Sequence, residues 1–309
     1  MDIDGARRRY GRAVAAPAPM TDPSDRSRPA VHLTPPSGWL SDPNGLVQAG
    51  GTFHACYQHH PHDLTWGPMH WGHATSTDLL TWTHQPIALA PGPHADAWSG
   101  SAVVDHEDSA GCGPGAIVVL HTAAGPGGQV QCLASSTDGV RFVPDPGGPV
   151  LVGNVADFRD PKVLRFDAGR ASWWVLVLSA GDELRLYRSD DLRRWSETSR
   201  FRPDTAPTGV LETPDLFPLA GPDSTEHWVL TWGVIEGAPA GGSGTCALVG
   251  SFDGATFTQV DFLPTGVGSH GLYPSRDATK LYVANRGSMK VHGTPKGKGG
   301  VSVSMADCA

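Results

Sequence analysis

Nowhere in this chain of 309 residues do about eighteen apolar residues run together, so the sequence holds no candidate membrane-spanning helix. No stretch carries the apolar spacing of an amphipathic helix three turns long. A basic stripe is absent as well: 23 Lys and Arg stand against 31 Asp and Glu, for a net charge of −8. Nucleic acid is therefore excluded as an expected partner, and a neutral or modestly polar substrate fits better. The five cysteines (Cys56, Cys112, Cys132, Cys246, Cys308) are odd in number and form no Cys-x-x-Cys. That indicates neither a zinc site nor a disulfide framework, and free thiols are expected. Arg7-Arg8-Arg9 is followed by a segment too short and broken for the core of a signal peptide. The compartment stays open, with the cytoplasm slightly favoured.

What the sequence does contain is punctuation. Its 39 Gly and 27 Pro suit many short strands joined by tight turns. Residues 1–30, rich in Pro, Ala, Arg and Asp, read as a disordered lead-in. From Val31 onward apolar runs of strand length alternate with turn clusters, as at Ala116–His121, Ser172–Ser179 and His227–Trp232. Ten Trp are present, of which core packing should claim at least half; a flat indole face also suits the C–H surface of a sugar.

A local pattern, Ser-x-Asp-x-x-x-aromatic, occurs at Ser76/Asp78/Trp82, Ser136/Asp138/Phe142, Ser189/Asp191/Trp195 and Ser251/Asp253/Phe257. The interval of about 50–60 residues points to a propeller with one four-stranded blade per repeat. The Asp would cap backbone N–H groups of a hairpin turn, and the aromatic would start the outgoing strand and pack between blades. The expected fold is thus all-β, a five-bladed propeller in which four blades are legible.

Three acids stand beside prolines near the start of apolar strands: Asp42 in Trp39-Leu40-Ser41-Asp42-Pro43-Asn44-Gly45, Asp160 in Phe158-Arg159-Asp160-Pro161, and Glu212 in Leu211-Glu212-Thr213-Pro214-Asp215. Asp-Pro-Asn-Gly alone is an ordinary turn signature. Here the acids open the first, third and fourth repeats. In a propeller such positions line the central channel, and paired carboxylates there are what glycosidic cleavage needs.

These motifs, with Tyr57-Gln58, Trp66–His73 and Trp98-Ser99-Gly100-Ser101, resemble glycoside hydrolase family 32, the invertases, inulinases and levanases, over roughly residues 32–262. The resemblance implies a retaining hydrolase of terminal β-fructofuranosyl bonds. Asp42 would be the nucleophile, Glu212 the acid/base, which must hold its proton near neutral pH, and Asp160 the stabiliser of the charged transition state. Trp39, Leu40, Ser41, Asn44, Gln58, Trp66, Trp98, Ser99 and Arg159 would bind the fructosyl unit. No cofactor and no metal are implied, the partner is a fructoside, and neither nucleic acid nor membrane is expected. Ser41 and Thr213 depart from the family, which commonly has Asn and Cys there. A fructosyltransferase using the same acids, or a carbohydrate-binding propeller without turnover, remain alternatives.

The family-like stretch 31–264 is expected to be the catalytic propeller. Residues 265–309 read as an atypical tail that either supplies substitute strands for the fifth blade or leaves it incomplete, with no room for a C-terminal β-sandwich. Within it, Gly268–Gly287 resembles a repeat of a different propeller family, and Lys290–Ala309 is expected to fray. His59-His60-Pro61-His62 reads as an exposed loop rather than a metal site, and no Gly-x-Ser-x-Gly elbow supports a serine hydrolase.

Overall fold

The computed structural model describes Pro29 and residues 33–92, 95–203, 209–220, 225–238, 243–263, 269–274, 280–285 and 302–307. The expected lead-in, apart from Pro29, lies outside the described residues. All regular structure among these is strand.

Five antiparallel sheets follow one another along the chain. The first is β1(Trp39–Ala49), β2(Thr52–His60), β3(His70–Ser76) and β4(Thr83–Leu89), in that order. The second is β5(Asp96–Asp105), β6(Ala116–Gly125), β7(Gly128–Ser136) and β8(Val143–Pro144), with β9(Leu151–Val152) also paired to β7. The third is β10(Phe158–Asp167), β11(Ser172–Ala180), β12(Glu183–Ser189) and β13(Ser196–Phe201), and the fourth β14(Leu211–Ala220), β15(Glu226–Val234), β16(Gly244–Phe252) and β17(Phe257–Leu263). This succession of meanders is the blade succession of a β-propeller. The fifth sheet has three described strands, β18(Ser269–Pro274), β19(Lys280–Asn285) and β20(Ser302–Asp307). β20 lies in the stretch expected to fray. Its alternation Ser302-Val303-Ser304-Met305 has the period of a strand, which the surrounding Gly and Lys obscure.

Middle strands such as β6 and β11 are nearly continuous apolar runs and are buried along most of their length, whereas the last strand β13 is polar and largely exposed. An edge strand with charged side chains discourages pairing with other chains. The chain divides into two compact units. The first holds the first two sheets with Arg159–Val163 and Asp190–Trp195, and the second holds the rest. In the first unit Trp71, Ile117, Val119 and Phe142 form a core with Cys56 and Leu89. In the second, Val177, Leu186, Leu230, Trp228, Trp232 and Phe252 do the same, with Trp173 packed against them. Trp71, Trp174, Trp228 and Trp232 are buried, so core packing with Trp173 accounts for half of the tryptophans.

His59, expected in an exposed loop, is instead a fully buried residue of β2, and His60 ends that strand. The Nδ1 of His59 donates to the Trp39 carbonyl at 2.8 Å, a backbone partner that makes burial tolerable. Burial also lowers the pKa of His73 to about 3 and of His70 and His121 to about 4, so all three are neutral core members at pH 7. Cys56, Cys112, Cys132 and Cys246 are free thiols.

The repeated Asp has one job at all four turns. Asp78 Oδ1 accepts the N–H groups of Leu80 (2.9 Å) and Thr81 (2.7 Å). Asp138 does the same for Val140 and Arg141, Asp191 for Arg193 and Arg194, and Asp253 for Ala255 and Thr256. The residue after each Asp then turns left-handed: Leu79 at φ 63°, Gly139 at 69°, Leu192 at 60° and Gly254 at 88°. At Gly254 a side chain would also drive into the rings of Trp173 and Phe166, so glycine is required twice over.

The left-handed positions and the turn carboxylates can each be tested. Leu79 is exposed, so Leu79→Gly removes a left-handed penalty of about 1–2 kcal/mol against a smaller entropic cost and should raise unfolding stability by about 0.5–1 kcal/mol. Leu192 is fully buried, so Leu192→Gly should lower it by about 2–4 kcal/mol; urea titrations check both. The turn N–H groups also hold the Asp78 pKa down to about 2 and lower that of Asp138. A folded pKa below the unfolded one gives stability that is full above about pH 4 and lost as pH falls towards 2. The difference in melting temperature between the protein and Asp78→Asn/Asp138→Asn should therefore shrink across that window.

Candidate active site

The strand β1 cannot stay regular through its motif. Pro43 has no N–H to give the ladder, and the pairing with β2 slips between Leu40 and Pro43 and again between Asn44 and Val47. The first slip turns Ser41 and Asp42 out of register and leaves the Asp42 carboxylate exposed. A matching slip lies on β5 between Trp98 and Gly100, and it aims Ser99. The Ser99 hydroxyl donates to Asp42 Oδ2 at 2.9 Å. Asn44 is buried and its Oδ1 accepts the Gly100 N–H at 3.5 Å. Gln58 Nε2 donates to the Ala97 carbonyl at 2.9 Å, next to Trp98. The Trp98 carbonyl in turn accepts from Trp71 Nε1 at 3.0 Å.

Trp66 is 59% exposed and meets Trp98 edge to face, with ring centroids 6.2 Å apart. An exposed indole braced on a half-buried one is an apolar platform open to a ligand. Trp39 and Leu40 pair with His60 and His59 across the ladder just before the slip.

Arg159 and Asp160 belong to the same unit and are both buried, with Arg159 Nε 4.0 Å from Asp160 Oδ2. Asp160 has φ 63°, the left-handed region, which is uncommon for a residue with a side chain. Its N–H donates to Thr122 Oγ1 at 3.0 Å. The Ser101 hydroxyl donates to the Pro161 carbonyl at 2.8 Å and accepts the Val163 N–H at 2.9 Å. The sequence assigns neither Thr122 nor Ser101 a role of its own. Ser101 falls within the motif Trp98-Ser99-Gly100-Ser101, whereas nothing in the sequence marks Thr122.

Glu212 belongs to the second unit. It is half-buried on β14, where pairing with β15 slips between Glu212 and Asp215 and Thr213 takes φ 45°. Its ladder partner is Gly233, where a Cβ would lie 3.1 Å from Thr213 Oγ1 and 3.9 Å from Glu212 Cβ. Gly233, unremarked in the sequence, keeps the space beside the acid clear. Asp42, Ser99 and Glu212 thus share one device, a register slip on the first strand of a sheet. Among the described residues no three His, Cys, Asp or Glu side chains group as metal ligands.

Residues 32–280 match the family described as "Glycosyl hydrolases family 32 N-terminal domain", a match that runs past Pro264 into the fifth sheet. The levanase of Bacillus subtilis is 44% identical over 238 residues, covering 74% of this chain and 35% of that protein. Invertase 2 of Saccharomyces cerevisiae is 36% identical over 266 residues, covering 81% of this chain and 49% of the invertase. The chain thus spans half or less of the length of these curated relatives. The fructofuranosidase from Schwanniomyces occidentalis, solved with fructose, superposes with a TM-score of 0.76 at 30% identity, covering 86% of this chain and 56% of that one. With a family match over most of its length, this chain belongs to glycosyl hydrolase family 32 through the family's N-terminal domain.

Proposed function

We propose that the chain carries the catalytic domain of a glycoside hydrolase that removes terminal β-D-fructofuranosyl units from sucrose or a fructan with retention of configuration. The observation that carries the reading is the exposed Asp42 carboxylate, presented by a register slip and held at Oδ2 by the Ser99 hydroxyl. A nucleophile must reach the anomeric carbon along a defined line. One hydrogen bond to Oδ2 leaves Oδ1 free for attack while fixing the plane of the carboxylate.

Asp42 would displace the leaving sugar and form a covalent fructosyl intermediate. Glu212 would protonate the departing oxygen and then take a proton from the incoming water. Retaining glycosidases that work by this exchange use carboxyl groups about 5–5.5 Å apart. Asp160, 4.0 Å from Arg159, would stabilise the positive charge that develops on the fructosyl ring. Trp66 and Trp98 offer apolar faces to sugar C–H groups, consistent with the edge-to-face platform they form. The similarity to a levanase and to invertases supports the fructoside class without choosing among its members.

Purified protein should release free fructose from at least one of sucrose, inulin and levan. Asp42→Ala and Glu212→Ala should each lower that rate by at least about 10³-fold. No release from any of the three substrates sinks the hydrolase reading, and oligosaccharide products in place of fructose would move it to fructosyl transfer. Ser99→Ala removes a hydrogen bond to a charged group and should reduce kcat about 10- to 100-fold, measured on the best of the three.

A further inference from the structure

Asp160 occupies a backbone conformation that costs energy, and the groups that hold it there come from a different sheet. At φ 63° its N–H is turned to Thr122 Oγ1 on β6. The next residue, Pro161, has no N–H, and its carbonyl is taken by the Ser101 hydroxyl on β5. The N–H of Val163 returns to that same Ser101 oxygen. Three backbone groups flanking one side chain are therefore satisfied by two hydroxyls.

The direction of each hydroxyl is fixed. Thr122 gives its proton to Gln131 Oε1 at 3.0 Å, and both side chains are fully buried. With the proton committed, a lone pair remains to accept from Asp160. Ser101 likewise donates to one backbone group and accepts from the other. A left-handed residue other than glycine persists only where its surroundings over-determine it.

We propose that Thr122 and Ser101 are positioning residues, a two-hydroxyl clamp that holds Asp160 in the left-handed conformation and thereby aims its carboxylate. The inference rests on the reading of Asp160 as the group that stabilises charge in fructosyl transfer. Both hydroxyls are engaged with protein groups and act through the backbone around Asp160. Without the clamp the strand relaxes towards regular β geometry, which carries the carboxylate away from its working direction. Ground-state binding by the other residues survives, so the effect falls on kcat more than on KM.

The test uses the full chain, with Thr122→Val, which keeps the shape and removes the hydroxyl, Thr122→Ser, which restores it, and Ser101→Ala. On whichever of sucrose, inulin and levan the unmodified protein cleaves, Thr122→Val should lower kcat about 10- to 100-fold with KM little changed. Thr122→Ser should recover most of that loss. Crystal structures of Thr122→Val and of Ser101→Ala/Thr122→Val should show Asp160 outside the left-handed region. An unchanged kcat in Thr122→Val, or a loss that Thr122→Ser fails to recover, overturns the proposal. So does an Asp160 that keeps its positive φ in the double variant, whatever the rate. If Thr122→Val does not fold by circular dichroism, Ser101→Ala carries the same kinetic and crystallographic readouts. If the unmodified protein cleaves none of the substrates, the hydrolase reading fails, and the clamp stands or falls on the φ of Asp160 alone.

Discussion

The hydrogen bond from Ser99 to Asp42 exists because β1 and β5 both lose register at those residues. A regular strand commits its N–H and C=O groups to the ladder and sends its side chains alternately to two fixed faces. Neither face suits a reactive carboxylate that must be exposed, oriented and next to partners from another strand. A slip of register releases one or two residues from that alternation while the flanking pairs keep the strand in the sheet. The same break occurs beside Glu212, and Asp160 achieves the equivalent with a left-handed turn. Irregular backbone also occurs elsewhere, as at Leu186 and Val249, but at the acid motifs it falls on the residues that carry the candidate site, and regular pairing on either side supports it.

Much of this was legible in the sequence because the relevant interactions are local. The turn Asp bonds N–H groups two and three residues away, so its spacing is written directly into the repeat, and four sheets follow from it. The Asp-Pro and Glu-Thr-Pro motifs mark the breaks for the same reason: proline removes a ladder donor at a known place.

What stayed hidden depends on partners far apart in the chain. Thr122 and Ser101 hold the segment around Asp160 across 38 and 60 residues. Thr122 has ordinary strand neighbours, and although Ser101 lies in the Trp98–Ser101 motif, nothing local tells which distant segment it holds. His59 looked like a loop residue because His-His-Pro-His is polar, yet the Trp39 carbonyl 20 positions away makes its burial tolerable. Leu79 and Leu192 hid the left-handed step that Gly139 and Gly254 display openly. Composition misled at β20, where a Gly- and Lys-rich setting masked a short alternation.

The order of strands within the sheets has a kinetic side. Every described sheet pairs strands adjacent in sequence, with only β9 reaching back past its neighbour to β7. Loops to be closed within a sheet are therefore short, and the entropy of closing them is modest. As the chain leaves the ribosome, each meander can pair before the next has been synthesised, so unpaired edges are exposed briefly and one at a time. The clamp around Asp160 has to wait, since its hydroxyls on β5 and β6 are made well before the residue they hold. The local meanders can thus assemble early, while the backbone geometry of a candidate catalytic acid is among the later features to form.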